Sequence, residues 1–158
     1  MSGIIDNLIS MLHLQSEKQQ NRPFLEAAMA ACAMVSASEG EVTFGDRIRV
    51  DQIMETLNKL KVFDPHEGVK LFNQYTDGIL AAPEKGRGDA LKAIKAVTSD
   101  RDTAELLIDL CLAVSLSDGK TSLVEHIEIV SLCGLIGVDP DSIGLDTEKV
   151  LTRFLAEN

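Results

Sequence analysis

Val114-Ser115-Leu116-Ser117-Asp118-Gly119-Lys120-Thr121-Ser122-Leu123-Val124-Glu125 is the stretch whose reading decides the fold. An apolar run ends there, a glycine turns the backbone, and Ser122 opens a new run with a carboxylate three residues on. At a constant offset of 79 residues stands Val35-Ser36-Ala37-Ser38-Glu39-Gly40-Glu41-Val42-Thr43-Phe44-Gly45-Asp46. From Cys32/Cys111 to Ile48/Ile127, six of 17 aligned positions are identical. Glu39/Asp118, Thr43/Ser122, Phe44/Leu123 and Asp46/Glu125 are close exchanges. Chance gives roughly one identity over that length at residue frequencies of about 5–10%. The match therefore reads as an internal duplication, each copy a helix, a turn and a second helix.

Both copies carry capping chemistry. Thr43 and Ser122 are expected to cap the second helix, with Asp46 and Glu125 reaching back to the cap N–H. Gly40 and Gly119 fall where a helix ends in a left-handed residue. Capping leaves Glu39 and Asp118 unexplained. A carboxylate at a helix C-terminus faces the negative end of the macrodipole, at a cost of about 0.3–1 kcal/mol. Incurring that cost twice points to a cation or a solvated surface as the partner. Glu39, Asp46, Asp118 and Glu125 together form an all-oxygen set, with Glu41 nearby. Such sets suit Ca²⁺, Mg²⁺ or Mn²⁺ better than zinc or copper. The spacing is not that of an EF-hand, which needs alternating oxygens before its central glycine.

Outward from the two motifs, helical periodicity covers the chain and no strand alternation of any length occurs, so the expected class is all-α. Ile4, Ile5, Leu8, Ile9 and Leu12 predict a short amphipathic helix over 3–14, followed by a polar linker over Gln15–Asn21. Residues 1–20 are thus set apart from one domain over 21–158. That helix is expected to pack on the domain; docking to a membrane or partner is the alternative, since about 12 residues make a marginal helix alone. Pro23 is expected at the first position of the next helix. Ala27–Val35 and Leu106–Val114 are apolar nearly all round and predict two central buried helices. Phe44, Ile48, Met54, Leu57 and Leu60 are expected on one buried face. Asp64-Pro65-His66-Glu67 reads as cap, proline and reciprocal glutamate. Pro83 and the Glu84–Asp89 stretch are expected to break the chain at mid-length. A short helix around Leu91–Val97, a cap by Ser99 and Asp102, and a last helix over 147–156 complete the expectation.

The totals bound what this domain does. With 45% hydrophobic and 25% charged residues, 158 residues build one globular core. The formal charge is −10, which repels phosphate backbones and anionic lipid, so nucleic-acid binding is not expected and unassisted adsorption to anionic membranes is disfavoured. Cys32, Cys111 and Cys133 form no CxxC pair and read as small buried hydrophobes. No secretory signal or membrane-spanning run is read, so the expected location is the cytoplasm. No nucleophile elbow, Walker loop or dinucleotide fingerprint occurs, and His13, His66 and His126 make no dyad; no enzymatic activity is expected.

Asp118-Gly119-x5-Glu125, preceded by Val114-Ser115-Leu116-Ser117, resembles the TerB-like tellurite-resistance family, whose mark is a duplicated helical unit with these acids. Glu39-Gly40-x5-Asp46 matches with the two acids exchanged in length. The resemblance runs from about Phe24 to Leu145. It implies an all-α cytosolic protein of tellurite and stress resistance, with acidic sites that bind metal. It also implies protein partners, including TerC-type membrane proteins, and hence peripheral association at the inner membrane. An acidic adaptor or co-chaperone module that docks a basic partner without metal is the alternative; hydrolysis by the acid pairs ranks third.

Overall fold

Helix α1, Ser2–Ser36, is the axis on which the other elements pack. The computed structural model describes residues 2–117, 121–144 and 152. From Phe24 to Ala37 every side chain of α1 and the 3₁₀ turn Ala37–Glu39 is buried except Glu26, which is half-buried. The run Ala27, Ala28, Ala30, Ala31, Cys32, Ala33 explains this, because small side chains let neighbouring axes come close on all sides. α3 (Pro65–Ala81), α4 (Pro83–Lys95) and α5 (Arg101–Ser115) supply most of that cover. α2 (Phe44–Thr56) and α6 (Leu123–Ile136) close the assembly, and Pro140–Ile143 forms a second 3₁₀ turn. Among the described residues there are six α-helices and no strand, so the protein is all-α.

Two expectations about the N-terminus are overturned. Residues 15–21 are not a linker but part of α1, with Pro23 inside the helix. Ser16-Glu17-Lys18-Gln19-Gln20 is polar yet, apart from the serine, made of strong helix formers, and polarity alone is no loop signal. Pro23 leaves the Gln19 carbonyl without its helical donor, which is tolerable because Gln19 is exposed. Nor does the first stretch pack on the domain: Ile4, Ile5, Leu8, Ile9, Met11, Leu12 and Leu14 are all exposed.

The mid-chain break is also absent. Ala82 alone separates α3 from α4, and Gly86 and Gly88 lie within α4 behind Pro83 at its start. Gly86 is there for contact, since a Cβ would stand 2.5 Å from the Ile79 backbone. α5 begins one residue later than expected for its cap: Asp100, not Ser99 or Asp102, accepts from the Thr103 N–H and hydroxyl. The Thr103 hydrogen bonds hold the Asp100 carboxyl below its ordinary range. α5 is buried on one face only, through Ala104, Leu107, Ile108, Cys111 and Val114, and Asp109 looks outward. Asp64 caps α3 through the His66 N–H with Pro65 at the first position; no reciprocal bond from Glu67 is made. The helix expected over 147–156 lies outside the described residues, apart from Thr152.

All three cysteines are free and buried. Burial pushes the Cys32 thiol up to about 12, with Asp46 adding to the rise. It raises Cys133 to about 11 and Cys111 well above the ordinary thiol value. These are inert packing groups, as their positions in the apolar runs indicate.

Candidate functional site

α2 and α6 each open with the expected capping box. Thr43 Oγ1 accepts from Asp46 N at 3.1 Å while Asp46 Oδ2 accepts from Thr43 N at 3.2 Å. Ser122 and Glu125 repeat this at 3.1 Å in both directions. Gly40 ends the preceding turn in the left-handed region, φ 83°.

The carboxylates lie on the buried stripes of their helices. Asp46, Val50, Ile53 and Met54 face inward along α2, and Glu125, Ile129, Leu132 and Cys133 along α6. Both sets follow the same i, i+4, i+7, i+8 spacing of one helical face. This corrects the expected face of α2: Phe44 and Ile48 point to solvent, as do Val124 and Ile127 on α6. Turning the acid inward turns those side chains out.

Asp46 is 4% exposed and held from three directions. Ser36 Oγ of α1 donates to Oδ2 at 2.6 Å. Thr43 N–H shares that oxygen. Ser117 Oγ donates to Oδ1 at 2.6 Å across 71 residues of sequence. That last bond ties the two junctions together, and their helices cross over as well: α2 packs on α5, and α6 on the turn Ala37–Glu39 and on α1. Ser115 takes a different partner, Thr121 Oγ1 at 2.8 Å, and also donates to the Leu112 carbonyl. The sequence reading assigned these hydroxyls no role. Their signal was present, since Ser36/Ser115 and Ser38/Ser117 are identical pairs at the 79-residue offset.

Burial is the main cause that raises the Glu125 carboxyl, partly offset by the Ser122 hydrogen bonds; Glu39 and Asp46 raise it further. Folded Glu125 therefore holds a proton more readily than in the unfolded chain. Its contribution to stability is full below the ordinary carboxylate range and is lost as pH rises through the folded value. Glu125→Gln, which keeps an acceptor for the Ser122 N–H, is expected to be more stable than the parent at neutral pH. That gain should shrink toward about pH 4. Denaturant midpoints in chelator from acid to neutral pH check this, and a gain that grows on acidification has the wrong sign.

Of the four acids expected to converge, Asp46 and Glu125 are buried near the tied junctions. Glu39 is exposed on the turn Ala37–Glu39 and acts on Glu125 through its charge. Asp118 lies outside the described residues. Among the described residues no three of His, Cys, Asp or Glu stand close enough to hold one ion, and no helix is long and apolar enough to cross a membrane.

A family model described as "Tellurite resistance protein TerB" matches residues 25–145. The chain belongs to the TerB family. "Tellurium resistance protein TerB" of Alcaligenes sp is 24% identical over 94 residues, covering 60% of this chain and 77% of that relative. No solved structure matches the chain. The TerB match opens at Leu25, where α1 becomes buried, and takes in both tied junctions. The exposed first part of α1 falls outside it.

Proposed function

We propose that this TerB-family chain is a non-enzymatic protein of tellurite and stress resistance that binds a hard divalent cation between its two acidic junctions. Glu39, Asp46, Asp118 and Glu125 would hold Ca²⁺, Mg²⁺ or Mn²⁺ by drawing together around the ion, since among the described residues no three of them already stand close enough to hold one. The supporting observation is the Ser117–Asp46 hydrogen bond, which joins the junctions at 2.6 Å; Asp118 is the next residue in sequence. The donors there are carboxylates and hydroxyls, a hard oxygen set. Asp46 Oδ2 already accepts two hydrogen bonds, whereas Oδ1 accepts one and keeps lone-pair capacity for an ion. A bound cation would also relieve the repulsion among Glu39, Asp46 and Glu125. Catalysis has no place in this function: the ion would stabilise a state of the protein that a partner, such as a TerC-type membrane protein, recognises from the cytoplasmic side.

The second reading, an acidic adaptor that docks a basic partner without metal, draws on the same site. Asp46 is so fully hydrogen-bonded that its structural role is complete without an ion. Calorimetric titration with Ca²⁺, Mg²⁺ and Mn²⁺ separates the two. Asp118→Asn, which removes charge outside the capping boxes, is expected to weaken binding at least tenfold while leaving apo stability unchanged or higher. An absence of heat and of any melting shift at millimolar concentrations of all three ions leaves the adaptor.

A further inference from the structure

Helix α1 continues about 20 residues beyond the body of the domain, roughly 30 Å at 1.5 Å per residue. Along it, Ile4, Ile5, Leu8, Ile9, Met11, Leu12 and Leu14 are between 44% and 66% exposed. The polar face is formed by Asp6, Ser10 and His13, and residues 2–16 contain no lysine or arginine. This part of the helix lies outside the family match. It also buries nothing of its own in the domain, and an unsupported helix of this length is marginal in water.

We infer that this face pairs with the same face of a second copy, the two α1 extensions lying antiparallel. Area favours it. Seven side chains exposed by about half leave on the order of 100 Å² each, so full cover in a pair would bury at most about 1,400 Å², which reaches the lower part of the range of stable interfaces. Charge favours it too. The chain carries −10, and an antiparallel pair keeps the two acidic bodies at opposite ends of a roughly 30 Å helix, nearly four Debye lengths of about 8 Å apart in physiological salt. The apolar segment itself is nearly neutral. A lipid surface fits less well, because an interfacial helix gains its hold on anionic headgroups from lysine and arginine on its polar face, and here that face presents Asp6.

Sedimentation equilibrium of the full chain, from micromolar to about 100 µM, tests the pairing. The expected mass is twice the chain mass of 17.1 kDa. Leu8→Asp with Leu12→Asp should return it to the single-chain mass, weakening association at least a hundredfold, with a melting temperature equal to that of the parent when diluted to monomer, because both positions are exposed in the single chain. Ser10→Asp, on the polar face, should leave the dimer intact. A single-chain mass for the parent throughout the range overturns the inference, as does a dimer that survives the double substitution. Flotation of a monomeric parent with phosphatidylcholine–phosphatidylglycerol vesicles assigns the face to lipid and overturns it as well.

Discussion

Replacing Gly86 by alanine is expected to lower stability by about 2 kcal/mol, although alanine is the better helix former by about 1 kcal/mol. The added Cβ would stand 2.5 Å from both Cα and N of Ile79 and 2.6 Å from the Gly78 carbonyl carbon. These are backbone atoms of α3, which cannot swing aside as a side chain does. With only Ala82 between α3 and α4, the pair has little room to separate. Forcing it apart disturbs Ile79 and Ala90, both in the core around α1, and overpacking of this kind costs about 1–3 kcal/mol. Gly88, two residues on in the same helix, has open space at its Cβ position. Gly88→Ala should therefore stabilise, by up to about 1 kcal/mol. Opposite signs in urea unfolding of the two variants confirm that contact rather than propensity placed Gly86. Equal signs would mean that the α3–α4 crossing yields.

The parts of the fold that were legible in sequence are those decided by local chemistry. The alanine-rich run of α1, the two capping boxes and the left-handed Gly40 each follow from a few neighbouring residues. The family, too, was readable in Asp118-Gly119-x5-Glu125. What was misread depended on partners distant in sequence. Gly86 looks like a break until Ile79 is seen beside it. Residues 15–21 look like a linker only if polarity outweighs helix propensity. The outward turn of Phe44 and Ile48 follows from the inward turn of Asp46, which no hydrophobic pattern ranks as a core residue. The candidate site was legible as a set of acids, but not as a network. The serines that bind Asp46 come from α1 and from the residues just after α5, and only the fold brings them to one carboxylate.

Asp46→Ala is expected to cost about 3 kcal/mol, more than a lost cap alone, for which about 1 kcal/mol is typical. The carboxylate accepts from two hydroxyls at 2.6 Å and from the Thr43 N–H. Hydrogen bonds to a charged acceptor contribute about 1.5–3 kcal/mol each, and three on one group are not additive. Some loss is offset because Asp46 raises the Glu125 carboxyl, so its removal relieves a like-charge contact. Asp46→Asn keeps one acceptor oxygen and sheds the charge, and should cost about 1 kcal/mol. Ser117→Ala probes the link between the junctions: it leaves the α2 capping box whole and removes only the bond across 71 residues. If that bond joins the two halves, the double variant Ser117→Ala/Asp46→Ala should lose less than the sum of the singles, by at least 0.5 kcal/mol on the scale of residues that share a network. Strict additivity in that cycle would mean that Asp46 serves its own helix alone, and the tie on which the cation site is proposed would be gone.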